Sequence, residues 1–287
     1  MGVVLPVLFA LLAAFSNALA TVLQRRAALS VPQTQGFRPG LVLDLLRRPV
    51  WIGGMVAVVV AGVGQAVALA TGPLSLVQPL FVLELPAALL LASLMTGRHM
   101  THVMWLAVGG VVVGLGVALA SAAPDGGEAD VPLDRWVPAL VACAVAALLL
   151  TAAGLKRPVG KARAGCLGAA TAVSYALTAA LMKDSMRVLD TDGVVGFLTT
   201  WQTYGFAAAG VGAVLLLEHA MQGGPLVASQ PALTLGDAAV SLLLGVVLYQ
   251  EDVRAGWWVV PQLLGVALIV VGVITLARRG IDLRTGR

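Results

Sequence analysis

The sequence predicts an all-α polytopic membrane protein, in which nine transmembrane helices form an inverted repeat of four and four helices linked by the fifth. Three observations support this. Of the 287 residues, 59% are hydrophobic and 11% are charged, whereas a soluble domain has about 25% charged residues. The apolar residues fall into nine runs, each close to the roughly 20 residues that cross a bilayer. A 24-residue segment also recurs, 152 residues later.

The nine runs are joined mostly by short polar connections. The first run lacks the basic segment that opens a cleaved signal sequence, so it is predicted to be the first span. All six tryptophans lie near the start of a run, where an interfacial aromatic belt is expected. The predicted spans are 3–23, 51–70, 73–95, 102–120, 136–154, 164–182, 197–217, 226–249 and 256–277. Residues 36–48 are predicted to form either a short helix in the headgroup plane or a plain amphipathic loop.

The recurring segment defines the repeat. Its two copies, 72–95 and 224–247, are long apolar runs broken by a Gln-Pro step. Because five spans separate the matched helices, the second copy crosses the membrane in the opposite direction, as in the inverted repeats of transporters. A single transmembrane domain is thus predicted, with repeat one at 1–120, a linking loop and fifth helix at 121–155, and repeat two at 156–287. The matched residues are Gly72, Pro73, Leu74, Gln78 and Pro79 with Gly224, Pro225, Leu226, Gln230 and Pro231.

Charge predicts the orientation. With the N-terminus outside, fourteen Lys and Arg residues fall on the inner side and only four on the outer side. The positive-inside rule therefore places the C-terminus in the cytoplasm and the protein in the plasma (inner) membrane as a multi-pass protein. The net charge of +4 is spread over these connections, so it does not indicate nucleic-acid binding.

Two carboxylates inside predicted spans are the sharpest chemical feature. Glu84 lies eleven residues after Pro73, and Asp237 lies twelve after Pro225. At 1.5 Å per residue they lie about 16 to 18 Å into a hydrocarbon layer of about 30 Å. An acid at that depth must be protonated, be paired with a cation or face a wet cavity. Glu84 and Asp237 are therefore candidates for substrate or ion coupling, the alternative being neutral acids that hydrogen-bond a neighbouring helix.

The Gln-Pro steps are predicted to interrupt their helices. Proline has no N–H and clashes with the carbonyl four residues earlier, so a kink or an unwound turn is expected at both Pro79 and Pro231. Gln78 and Gln230 are placed to satisfy the freed carbonyls. They are candidate gates, the alternative being simple proline kinks. Further polar residues either line a cavity or join helices, namely Asn17, Gln65, Tyr175, Gln202 and Tyr204.

The sequence contains no phosphate-binding loop, dinucleotide fingerprint or nucleophile elbow, so neither an ATP motor nor an enzyme is indicated. No cofactor and no resident metal site are assigned; Glu84 and Asp237 are the candidate ligands if the protein carries a cation. The expected partners are the lipid bilayer and a small-molecule or ion substrate.

Three short motifs carry a resemblance. VLQRRAAL ends the first span, LVQPL lies in the third, and SQPAL lies in the eighth. They resemble the drug/metabolite transporter (EamA-like) superfamily, and the nine-span plan is similar to NIPA-type magnesium transporters. The resemblance implies secondary transport of a small polar metabolite or drug-like solute by alternating access, and Glu84 and Asp237 are the candidates for proton coupling. The alternatives are transport of Mg²⁺ or another divalent cation, and a non-transporting membrane scaffold.

Overall fold

A computed structural model describes residues 3–29, 49–97, 99–128 and 130–285. Within these ranges nine helices are long and apolar enough to cross a membrane, which confirms the predicted number of spans. The amphipathic segment predicted at 36–48 lies outside the described residues.

The helices follow the predicted order. In chain order they are α1 Val4–Leu29, α2 Pro49–Thr71, α3 Leu74–Leu80, α4 Glu84–Thr96, α5 His102–Ala122, α6 Leu133–Leu155, α7 Lys161–Thr199, α8 Trp201–Gln222, α9 Leu226–Val247 and α10 Val259–Thr285. The third span consists of α3 and α4 joined by a 3₁₀ turn at Phe81–Leu83, and a second 3₁₀ turn at Gly256–Trp258 precedes α10. Two short strands, β1 (Asp125–Gly126) and β2 (Glu251–Asp252), pair antiparallel and join the connections after the fourth and eighth spans.

The third span is interrupted, as predicted. The α-helix stops at Leu80, immediately after Pro79, and resumes only at Glu84. A second proline, Pro86, follows seven residues after the first and also lies where it cannot donate a backbone hydrogen bond. The 3₁₀ turn lies between the two prolines, each of which lacks the backbone N–H group that would donate an α-helical hydrogen bond.

The eighth span is not unwound at its proline. α9 runs as one helix through Pro231, so of the two outcomes expected there, a kink or an unwound turn, the unwound turn is absent. Pro231 is the one proline within α9. A single missing N–H donor near the start of a long helix leaves enough backbone hydrogen bonds to preserve the helix.

The sixth span is longer than its apolar run. α7 continues past residue 182 up to a kink at Gly193, where the backbone is non-helical (φ 69°, ψ −166°), and a second helical segment then reaches Thr199. Lys183, Asp184 and Arg187 therefore lie on a helix rather than in the loop expected from hydropathy.

The helices pack in a regular set of pairs. α1 packs along α2 and α7 along α8, while α5 packs along α10 and α3 against α9. Gly114 of α5 and Gly265 of α10 allow direct backbone contact, because a Cβ atom at Gly114 would lie 2.6 Å from the Gly265 carbonyl oxygen. Small residues at helix contacts are the usual means of bringing membrane helices this close.

Candidate functional site

The start of α3 and the end of α9 meet at one side of the molecule. Glu251 follows α9 by four residues and accepts hydrogen bonds from the backbone N–H groups of Leu74 (2.6 Å) and Ser75 (2.8 Å). A Cβ atom at Gly245 would lie 3.1 Å from the Cβ of Ser75. The two helices are therefore antiparallel here, and we call this side the Glu251 end.

This register brings the two predicted acids to one level. Glu84 lies nine residues beyond Ser75, and Asp237 lies eight residues before Gly245. At 1.5 Å per residue, both are about 12 to 14 Å from the Ser75–Gly245 contact. They are also close enough for their charges to interact. The third and eighth spans thus present one carboxylate each to the same region.

Each carboxylate has one polar partner. The Asn17 side-chain amide of α1 donates a 2.8 Å hydrogen bond to Glu84 Oε2. The Ser241 hydroxyl, one turn along α9, donates to Asp237 Oδ1 over 3.4 Å, which is long for a hydroxyl donor. Among the described residues neither acid forms an ion pair.

The other candidate residues lie in different places. Tyr175 of α7 is half-buried and interacts electrostatically with both Glu84 and Asp237. Gln65 of α2 is half-buried. Tyr204 is 64% exposed and donates its hydroxyl hydrogen bond to the Leu198 carbonyl over 2.7 Å, so it lies apart from the acids. Gln202 is buried and donates to Asp184 over 2.9 Å.

The two Gln-Pro glutamines differ in their surroundings. Gln78 is 2% exposed on α3, between the Glu251 end and Glu84, and its Nε2 has no hydrogen-bond partner among the described residues. An unpartnered buried donor costs about 1 to 3 kcal/mol. Gln230 is half-buried near the start of α9.

Away from the Glu251 end, the third and eighth spans diverge. α9 packs against α3 and the 3₁₀ turn, but between the described residues of α9 and α4 few or no close contacts remain. Residues 232–238 of α9 are all half-buried, including Asp237. The level of the two acids is therefore where the close packing of α9 against the third span ends.

The sequence did not reveal the group at the closed end. Glu251 and Lys183 fall in predicted connections on the outer side, but the Glu251 carboxylate is buried and forms a 2.6 Å ion pair with the Lys183 ammonium. Lys183 also donates to the Gly72 carbonyl over 3.2 Å and lies 4.7 Å from the centre of the Tyr249 ring. The one signal available in the sequence was that Lys183, at the end of the sixth span, lies 158 residues after Arg25, a basic residue at the matching end of the first span.

Aromatic side chains surround this ion pair. Trp136 is fully buried and meets both Trp201 and Tyr249 edge-to-face, with ring centroids 5.4 and 6.3 Å apart. Burial raises the pKa of Tyr249 well above its ordinary value, and the carboxylates of Asp184 and Glu251 raise it further. Its hydroxyl stays protonated and donates to the Ala180 carbonyl over 2.6 Å.

Fold and site together define the class: an all-α, multi-pass membrane protein with two carboxylates at one level between two antiparallel spans. The chain is 32% identical over 280 residues to an uncharacterized protein of Corynebacterium glutamicum, and the match covers 95% of this chain and 94% of that protein. The chain therefore belongs to the same family as that protein. No protein-family model matches the chain. No solved structure matches it either.

Proposed function

We propose that the protein is a secondary transporter that moves a small polar or drug-like solute by alternating access, using Glu84 and Asp237 for coupling to protons. The observation that carries the proposal is the placement of these two acids at one level, where the close packing of α9 against the third span ends. Neither has an ion-pair partner within the described part of the chain.

The energetics favour a cationic ligand or proton at this level. An ionised carboxylate at the bilayer centre costs at least about 2.5 kcal/mol. One amide donor on Glu84 and one distant hydroxyl on Asp237 compensate little of that cost. A proton or a positively charged solute that reaches these acids removes the cost of the ionised carboxylate. Binding and release of positive charge is therefore the chemistry that these two residues support best.

The helix pairing supports the inverted repeat. If spans one to four correspond to spans six to nine, the contact of α1 with α2 has its counterpart in that of α7 with α8. Spans three and eight, and spans four and nine, are then each other's counterparts, and both pairs are in contact. Contacts of this kind are expected around a pseudo-two-fold axis in the membrane plane.

The charge bias of the connections supports a plasma-membrane orientation with the N-terminus outside. In that orientation the Glu251 end faces outward. The parts of the third and eighth spans that lack close contacts with each other then face the cytoplasm.

A second candidate is transport of Mg²⁺ or another divalent cation. Two carboxylates and the side-chain oxygen of Asn17 at one level provide the hard oxygen ligands that Mg²⁺ prefers, and this ion usually keeps several of its waters. The same residues serve both candidates, so the transported species decides between them.

Purified protein in liposomes tests the proposal. Vesicles containing a pH-sensitive dye are exposed to a panel of amines, organic cations and neutral solutes, and a parallel set contains a Mg²⁺-sensitive dye. We expect solute-dependent proton movement that is lost in Glu84→Gln and Asp237→Asn and is retained in Asp134→Asn, a change of an exposed acid at the start of α6. A Mg²⁺ signal without proton movement would favour the second candidate. Equal behaviour of all variants and empty vesicles would favour a scaffold.

A further inference from the structure

The contact at the Glu251 end joins parts of the chain that are far apart in sequence. We propose that Glu251, Lys183 and the start of α3 form a reversible lock that closes this end of the transport path, and that the lock must break before the two acids become accessible from that side. The inference rests on the proposed function.

The lock is built around one carboxylate. Oε1 of Glu251 accepts hydrogen bonds from Leu74 N and Lys183 Nζ, both over 2.6 Å, and Oε2 accepts from Ser75 N over 2.8 Å and Ser75 Oγ over 2.6 Å. Glu251 is only 2% exposed. The start of a helix is a natural site for an anion, because its first N–H groups have no partner within the helix. Here the anion is supplied by the chain itself, from 176 residues further on.

The position of the contact indicates a lock rather than a general packing interaction. Glu251 and Lys183 belong to the second half of the chain, and α3 belongs to the first half. Their hydrogen bonds fasten the third span to the eighth at the end where α3 and α9 touch. Beyond the 3₁₀ turn, few or no close contacts join α9 to the described residues of α4. Opening the closed end therefore requires separation of the groups that Glu251 holds together.

The two helices beneath the lock are in close contact. A Cβ atom at Gly245 would collide with Glu251 Oε2 and would lie 3.2 Å from Ser75 N. α3 and α9 are therefore in contact without an intervening side chain. Gln78 lies one turn further in from Ser75 and is 2% exposed, so the path is closed from the lock down to this glutamine.

The bonds of the lock are of a kind that water can replace. The groups are a carboxylate, an ammonium, a hydroxyl and two backbone N–H groups at the edge of the membrane. An ion pair that becomes hydrated loses little net free energy, because desolvation had offset most of its Coulomb attraction. The contact can thus hold one conformation without preventing the other.

A second ion pair provides a matched control. Arg135 and Glu128 lie 2.7 Å apart, and their side chains are 33% and 46% exposed. This pair joins the connection after the fourth span to the start of α6. It links neither α3 nor α9, so its removal leaves the lock intact.

Cysteine accessibility tests the lock without any substrate. In a background with Cys143→Ala and Cys166→Ala, Gln78→Cys provides a reporter below the lock. A membrane-impermeant maleimide is added to right-side-out and to inverted vesicles. We expect Lys183→Met, Glu251→Gln and Ser75→Ala each to increase the labelling rate of the reporter from the Glu251 side, by about tenfold for the two charge changes. Glu128→Gln should leave the rate unchanged.

Each outcome decides the proposal. Unchanged labelling in folded Lys183→Met and Ser75→Ala would overturn the lock, since each removes part of it while Glu251 remains. Failure of all three variants to fold, with Glu128→Gln folded, would also overturn it, because the contact would then be required for folding. Increased labelling without solute movement in liposomes would uphold the lock and reject the transport proposal. Solute movement with unchanged labelling would uphold the transport proposal and reject the lock.

Discussion

Asn17 of the first span donates a 2.8 Å hydrogen bond to Glu84, the residue at which the third span resumes its α-helix. The bond connects a continuous helix to the break in its neighbour. It orients one oxygen of the carboxylate and leaves the other free of any hydrogen bond within the described residues. Loss of this bond should therefore affect the function of the site more than the stability of the fold.

Asn17→Ala is expected to lower solute or ion flux in liposomes by about ten- to hundredfold. A hydrogen bond to a charged group contributes about 1.5 to 3 kcal/mol, and 1.4 kcal/mol corresponds to a factor of ten. Thr21→Val is the control, because the Thr21 hydroxyl donates only to the Asn17 carbonyl, one turn away on α1. Equal flux in the two variants would show that Asn17 does not serve the site.

Pro86→Ala should restore a donor between the broken halves of the third span and so favour a continuous helix. We expect flux to fall at least tenfold because Glu84 then turns away from Asn17, while the midpoint of thermal unfolding in detergent stays the same or rises. The control is Pro138→Ala in α6, which removes a proline from a helix outside the proposed repeats. Normal flux in Pro86→Ala would contradict a functional role for the break.

Gly114→Leu is expected to destabilise the protein by about 1 to 3 kcal/mol, the usual cost of inserting extra carbons into a packed contact. The added side chain would meet the Gly265 carbonyl and the backbone of Ile269. Gly116→Leu on the same helix is the matched control, because a Cβ there meets nothing within 4 Å. Thermal unfolding in detergent measures both, and equal midpoints would refute the close contact of spans four and nine.

Tyr249→Phe should change how stability depends on pH. The raised pKa of Tyr249 means that the folded protein holds a proton that the unfolded chain releases above about pH 10. This group therefore stabilises the folded state fully below that pH, and its contribution falls as pH rises further. We expect the unfolding midpoint of the parent protein to fall more steeply than that of Tyr249→Phe between about pH 9 and 11, because the ordinary pKa of a phenol is about 10. Parallel curves would contradict the burial of this hydroxyl.

The number and order of the spans could be predicted because hydrophobic length is a local property. Nine runs were expected, and nine helices of sufficient length lie in the described residues. The boundary of α7 could not be predicted in this way. Its polar residues from Lys183 onward continue the helix because they bind to other parts of the protein, and hydropathy does not record such contacts.

The two Gln-Pro steps show a similar limit. They look equivalent in sequence, yet only the third span breaks. The difference lies in Pro86, which a comparison of the two copies position by position would have revealed. The inverted relation of the two copies remains a prediction that the helix pairing supports.

The placement of Glu251 depends on contacts between distant segments. Glu251 lies in the predicted connection after the eighth span, and nothing nearby in the sequence indicates the start of α3 as its partner. By contrast, the depth of Glu84 and Asp237 followed from counting residues, and the structure brings both to one level.

The pairing of β1 with β2 ties the backbone of Glu251 to that of Gly126, in the connection after the fourth span. Any movement that withdraws Glu251 must carry this ribbon with it. An antibody fragment that binds both strands would consequently immobilise the closed end from the aqueous side. Such a fragment would trap a single conformer without modification of any membrane-buried residue.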